Sequence, residues 1–292
     1  MIEIKGLSHS FGEKKVLDNI DLSIPDGSVL GVVGINGAGK STLLRLLSGV
    51  YETKGEVLFD GRSPMLAETR SDIFFLPDDP FYTVAPTPKK LFEFFSIFYP
   101  NIDASVFDSL ISEYKIDKKK GLRSFSKGMR RQVFIAVALA VKPKYMLLDE
   151  AFDGLDPLSR KLFKDAIIKL VEEENATVII TSHSLRELED FCDRFVLIDN
   201  TKIKSEGDIA DHVSRLCKFN LAFTKDVSEA DFAELSAVSL EIKGRFATAV
   251  FEGDADEIHA RLETLSPAVI DEMPLDFEEA FIHDVLSERG KK

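Results

Sequence analysis

Positive charge is outnumbered in this chain. Its 292 residues carry 37 Lys and Arg against 50 Asp and Glu, a net charge of −13. That balance argues against a general nucleic-acid binder, which needs a basic face to release counterions from phosphates, and it disfavours acidic partners. Cysteine is nearly absent. Cys192 and Cys217 are the two present, without metal-ligand or redox spacing, so they read as small buried hydrophobes in a reducing compartment. Long apolar runs are lacking too. The opening MIEIKGLSHSF has no signal-peptide core, and the most apolar later run, residues 133–141, falls short of the about 20 residues that span a bilayer. The expectation is a cytoplasmic chain whose membrane role comes through a partner. Neither low-complexity tracts nor internal repeats are evident.

The segments that are present suggest two domains. Up to about residue 213, short β-branched runs at residues 29–33, 145–148, 177–181 and 195–198 alternate with helical stretches, the pattern of a parallel sheet covered by helices. The first segment alternates instead, through Ile2, Ile4 and then Val16, Ile20, Leu22 and Ile24, with Asp26-Gly27 as a turn, which predicts a small antiparallel sheet. Helical spacing of Leu91, Phe94, Phe95, Phe98, Phe107, Leu110 and Ile111 predicts a helical subdomain over about 84–140, broken at Pro100. Residues 216–292 carry 17 acidic and 8 basic residues, so most of the net charge sits there. They predict strands at 218–223, on either side of Lys243-Gly244 and at 268–272, with helices at 228–235, 254–265 and 276–288. That β-α-β-β-α-β order suggests a ferredoxin-like accessory domain with an added helix.

Chemistry concentrates first in GINGAGKST, residues 34–42. Gly34-x-x-x-x-Gly39-Lys40-Ser41 follows an apolar strand and opens a helical run, the context a phosphate-binding loop requires. Its backbone amides, including those of Asn36, Gly37, Ala38 and Gly39, can approach phosphates where a Cβ would interfere. Lys40 supplies a charge to the β and γ phosphates, the Ser41 hydroxyl can ligate Mg2+, and Thr42 adds a phosphate contact. The alternative is a chance glycine-rich turn. Residues 145–150, YMLLDE, then deliver Asp149 and Glu150 at a strand's carboxyl end, where ligands of parallel sheets collect. Asp149 would hold magnesium and Glu150 would act as general base toward the attacking water. Capping of the next helix is the plainer reading of the same two acids.

With both loops in place the chain resembles the ABC-type ATPases, the nucleotide-binding subunits of ABC transporters, over residues 1–213. FSKGM, residues 125–129, is similar to the family's LSGGQ signature loop and keeps Ser126 and Gly128 while departing at Phe125, Lys127 and Met129. Gly154-Leu155-Asp156 is similar to the loop that meets the opposite subunit. His183, after an apolar strand, resembles the switch histidine that senses the γ-phosphate. Phe11 resembles the aromatic that stacks on adenine, although packing is the plain account of a Phe in a turn. Where the family has a glutamine after residues 73–76, this chain has Asp78, or alternatively Asp79, in LPDDP. Asp78 is therefore a candidate magnesium ligand that lacks an amide donor; a solvated turn is the alternative.

The resemblance implies two ATP molecules held between two such subunits, a homodimer or a pair with a paralogous ATPase. Lys40, Ser41, Asp149, Glu150 and His183 close each site from one side, and Ser126 and Gly128 from the other. It further implies a separate transmembrane permease as partner, peripheral attachment at the inner face of the cell membrane, and no nucleic acid. Some of the aromatics Phe74, Phe75, Phe81, Tyr82, Phe92, Phe94, Phe95, Phe98 and Tyr99 would line a groove for a permease helix while the others pack inside. The ending at residues 276–285, DFEEAFIHDV, is similar to that of exporter ATPase subunits. Two further readings stay open: a soluble ABC ATPase acting on ribosomes or DNA, and a nucleotide-gated regulator with little turnover.

Overall fold

The computed structural model describes residues 1–52, 54–80, 82 and 86–281, in two compact units, 1–206 and 207–292. In the first unit, β1 (Ile2–Phe11) and β2 (Lys14–Ile24) form an antiparallel pair, and β3 (Val29–Val33) enters the core with every residue buried. There follow α1 (Lys40–Leu47), β4 (Lys54–Phe59), the short α2 (Ala67–Ser71) and β5 (Ile73–Leu76). Strand β4 pairs with β1 on the side away from β2, giving the three-stranded sheet β2-β1-β4. Its inward positions Ile2, Ile4, Ile20, Ile24 and Phe59 are all buried in one cluster with Leu43, Leu47 and Tyr145. The alternation seen in the sequence is thus one face of this sheet laid on the core.

The helical subdomain consists of α3 (Pro88–Phe98), α4 (Ala104–Glu113) and α5 (Lys127–Val141). Thr87 caps α3 and Asp103 caps α4, so the break at Pro100 is reinforced by a fresh helix start three residues later. Residues 84 and 85, where the subdomain was expected to open, lie outside the described residues, as does Phe81. Helix α5 is buried from Arg131 to Val141 on all sides, which its near-continuous apolar run permits.

Strand β6 (Tyr145–Asp149), α6 (Pro157–Glu174), β7 (Thr177–Thr181), α7 (Leu185–Glu189), β8 (Arg194–Asp199) and β9 (Lys202–Asp208) complete the six-stranded sheet β5-β6-β7-β3-β8-β9. The pairs β5/β6, β6/β7, β7/β3 and β3/β8 are parallel. Strands β3, β6 and β7 are buried throughout, as central strands covered on both faces must be. Parallel pairing sends the carboxyl ends of β3, β5, β6 and β7 to the same edge of the sheet.

The second unit holds α8 (Ile209–Ser214), β10 (Leu216–Ala222), β11 (Ser239–Lys243), β12 (Phe246–Glu252), α9 (Ala255–Glu263) and β13 (Val269–Met273). Its sheet is antiparallel in the order β11-β12-β10-β13, so each crossover connects strands with one other strand inserted between them. Phe219, Phe251, Ile258 and Leu262 lie at its core. The helix expected at 228–235 is instead a single 3-10 turn, Glu229–Phe232. Ser228 and Asp231 close a capping box that starts the turn, and Ser236 takes a left-handed φ of 52° just after it. Of the helix expected at 276–288, residues 277–281 are helical and the remainder lies outside the described residues.

Candidate nucleotide-binding site

Four strand ends meet at this edge. The loop after β3 turns into α1 through Gly39, whose φ of 109° suits glycine and whose added Cβ would stand 2.9 Å from Leu17 Cδ2 and 3.1 Å from the Val16 carbonyl. No side chain caps α1, so its first-turn amides are left for an anion. Ile35, Asn36 and Gly37 are exposed above them, while Ala38, Gly39, Lys40 and Thr42 are buried. An apolar-periodic helix with no acid in its first turn keeps that positive end uncompensated.

Lys40 is only 6% exposed. Its Nζ donates to the Gly34 carbonyl at 2.7 Å, which folds the loop around it, and lies 3.7 Å from Glu150 Oε1. Ser41 Oγ donates to Asp149 Oδ1 at 2.9 Å, reaching across β7. Thr181, at the end of β7, donates its hydroxyl to the same Asp149 oxygen at 2.8 Å and accepts the Glu150 amide at 2.9 Å. Asp149 is 1% exposed, and among the described residues its Oδ2 has no hydrogen-bond partner. A buried carboxylate oxygen without a partner is costly unless a cation or water meets it. With the Ser41 hydroxyl beside it, this oxygen-only donor set fits a magnesium ion.

Glu150 follows in the left-handed region, φ 46°, an unfavoured conformation for a side-chain-bearing residue and one that concentrates at functional sites. That turn aims its carboxylate between two partners, Lys40 on one side and His183 on the other, where Oε2 lies 3.1 Å from Nδ1. Asp153 Oδ1 stands 3.8 Å from the same nitrogen. The hydrogen bond to Glu150 raises the His183 pKa above its ordinary value, against a smaller opposing effect of burial. Capping is not what the two acids do: α6 is capped by Asp156, which accepts the Leu158 and Ser159 amides, each at 3.1 Å, and the Ser159 hydroxyl at 2.6 Å. Asp156, in the loop that resembles the one meeting the opposite subunit and counted with it among the nucleotide-site residues, has both carboxylate oxygens engaged in holding its own helix.

Ser126 caps α5 by accepting the Met129 amide at 3.1 Å. Gly128 sits directly against Gly154, where an added Cβ would fall 2.2 Å from the Gly154 carbonyl oxygen. The signature-like loop and the loop before α6 are therefore in backbone contact. Asp78, a candidate magnesium ligand in the sequence, has one carboxylate oxygen paired with Arg131 Nη2 at 2.8 Å and Lys127 Nζ at 3.3 Å. Phe11 ends β1 half exposed, edge-on to His9 at 4.8 Å and Tyr51 at 5.7 Å between ring centroids, a surface-facing aromatic group able to receive a flat ring.

Sequence reasoning missed Thr181 and Arg131, and it missed the contact of Gly154 with Gly128. Thr181 carried a signal, a hydroxyl at the end of a β-branched run beside His183. Nothing in the sequence marked Arg131 as buried.

Of the subdomain aromatics, Phe74 packs with Phe95 and Tyr99, and Phe92 with Phe107. Phe94, Ile97 and Phe98 remain exposed at 52, 73 and 58% on α3. Among the described residues, no helix is long and apolar enough to cross a membrane.

Comparison with known proteins agrees with this geometry. A family model described as ABC transporter matches residues 17–153. The chain is 30% identical over 285 residues to the ABC transporter ATP-binding protein YtrB of Bacillus subtilis, covering 97% of each. It is 31% identical over 235 residues to the lantibiotic transport ATP-binding protein SrtF of Streptococcus pyogenes, covering 77% of this chain and 99% of that one. A solved ATP-binding subunit of an ABC transporter aligns with a TM-score of 0.68 at 25% identity, over 73% of this chain and 92% of the other.

Proposed function

The chain belongs to the ABC transporter ATP-binding proteins, and from that premise we propose that two copies, or one copy and a paralogous ATPase, close around two ATP molecules to drive a separate permease. The observation that carries this reading is the Glu150 carboxylate, held between Lys40 and His183 beside the Ser41–Asp149 pair. Lys40 and the α1 amides bind the β and γ phosphates, which compete with Glu150 for the ammonium group. Glu150 is then released to orient and deprotonate water, while His183 keeps its second oxygen in place. Ser41 and Asp149 would hold magnesium, which when bound neutralises charge on the phosphates. Phe11 receives the adenine ring. Ser126 and Gly128 meet the γ-phosphate of the opposite subunit at the N-terminus of α5.

The exposed Phe94, Ile97 and Phe98 support α3 as the permease seat, through which the chain attaches to the inner face of the membrane. Outward transport rests on the likeness of residues 276–285 to exporter subunits. The experiment is Glu150→Gln in the full chain. It should trap an ATP-bound dimer in light scattering and lower phosphate release by roughly 10²-fold or more. Release at the parental rate, with no dimer, would overturn the assignment.

A further inference from the structure

Arg131 is 2% exposed, and a guanidinium cannot shed its charge, so its burial demands acceptors. It finds them on two strand ends. Nη1 donates to the Pro77 carbonyl at 3.3 Å and the Asp149 carbonyl at 3.4 Å, and Nη2 to both the carbonyl and the carboxylate of Asp78. One side chain of α5 thereby ties the loop after β5 to the carboxyl end of β6. On the solvent side Lys127, from the signature-like loop itself, reaches the same Asp78 oxygen.

The two departures from the family pattern, an acid for the glutamine and a lysine for a glycine, are therefore one contact. We propose that Asp78 is a positioning residue of the ATPase reaction: with Arg131 and Lys127 it latches Ser126 and Gly128 in register with Asp149 of the same chain. The two arms differ in degree. The Lys127–Asp78 pair is half exposed on both sides and open to screening by salt, whereas in the Arg131 arm the guanidinium is buried and only the shared Asp78 carboxylate is half exposed, so salt screens it less. A neutral residue at 78 leaves Arg131 its carbonyls but, among the described residues, no ion-pair partner. The start of α5, which the latch anchors, then loosens against β6. The consequence for catalysis rests on the two-subunit site proposed above, since Ser126 and Gly128 act on the partner's nucleotide.

The test is Asp78→Asn in the full chain, alone and on the Glu150→Gln background. ATP binding by the monomer should stay within about twofold while ATP-dependent dimerisation weakens about tenfold, a coupling of the size that residues remote from a ligand exert. Without nucleotide, the Met129 and Arg130 amides, bonded to Ser126, should exchange hydrogen faster. Adding Arg131→Met removes the uncompensated charge and should restore the melting temperature but not dimerisation. Unchanged exchange and unchanged dimerisation would overturn the latch. So would a matching loss of monomer ATP binding, which would place Asp78 at the nucleotide or its metal, or full recovery of dimerisation in the Asp78→Asn, Arg131→Met chain. A Glu150→Gln parent that never dimerises would count against the two-subunit site, and amide exchange would still decide the latch.

Discussion

Replacing Gly128 by alanine sets two known effects against each other at a place where the structure says which wins. Gly128 lies in the first turn of α5, and in a helix alanine is favoured over glycine by up to about 1 kcal/mol. The added methyl, however, would stand 2.2 Å from the Gly154 carbonyl oxygen and 3.3 Å from its carbon, against a floor of 3.0 Å for real Cβ contacts. Both neighbours are backbone, so no rotamer change relieves the overlap. Gly154 is itself held at φ 76°, in the turn between Glu150 and the Asp156 cap. Forced overpacking costs about 1–3 kcal/mol, more at the upper end where backbone must move, so the net change is a loss of about 1–2 kcal/mol. In a 206-residue unit that loss lowers the melting temperature by about 2–8 °C. Gly121→Ala is the control: its φ of −67° suits any residue and the space is open, so a change within about 0.5 kcal/mol is expected. Differential scanning calorimetry of both variants decides the matter. If Gly128→Ala melts with or above the parent, the contact yields, and glycine is needed there for ligand approach rather than for packing.

Titration of His183 gives an independent check on the Glu150 pairing. Its pKa is raised in the folded chain by the Glu150 hydrogen bond, so the pair's stabilisation is fully present below the ordinary value of 6.5 and fades as pH rises through the higher folded value. In Glu150→Gln the midpoint, followed by NMR of the ring protons, should move down, and an unmoved midpoint would dissolve the pairing. On α3, Ile97→Ser with Phe98→Ser removes two apolar side chains that are more than half exposed among the described residues. Stability should hold within about 0.5 kcal/mol while co-purification with the permease is lost, and an undiminished yield of complex would put the seat elsewhere.

Local rules carried much of the reading because several elements here have few alternatives. A run such as Val29–Val33 or Thr177–Thr181, β-branched and apolar on both faces, has to be a central strand, and a Gly-rich loop leaving it for a helix has to offer amides at the sheet's carboxyl edge. The same rules were too weak at residues 228–235, where Phe232 and Leu235 are spaced i, i+3. That spacing serves a 3-10 turn as well as an α-helix, and Ser236 ended the turn early. What stayed hidden was partnership. Lys127 and Asp78 are 49 positions apart, Arg131 and Asp78 are 53, and residue types at such distances show which charges exist but not which ones meet. Gly128 and Gly154 are the sharper case. Each reads in the sequence as backbone freedom for a ligand or a turn; the fold uses the missing side chain of Gly128 to let two functional loops touch, and the left-handed φ of 76° that glycine permits at Gly154 to shape the loop it touches. Replacing either glycine therefore tests the fold as well as the site, and only a chain whose stability is measured alongside its dimerisation can assign the loss to one of them.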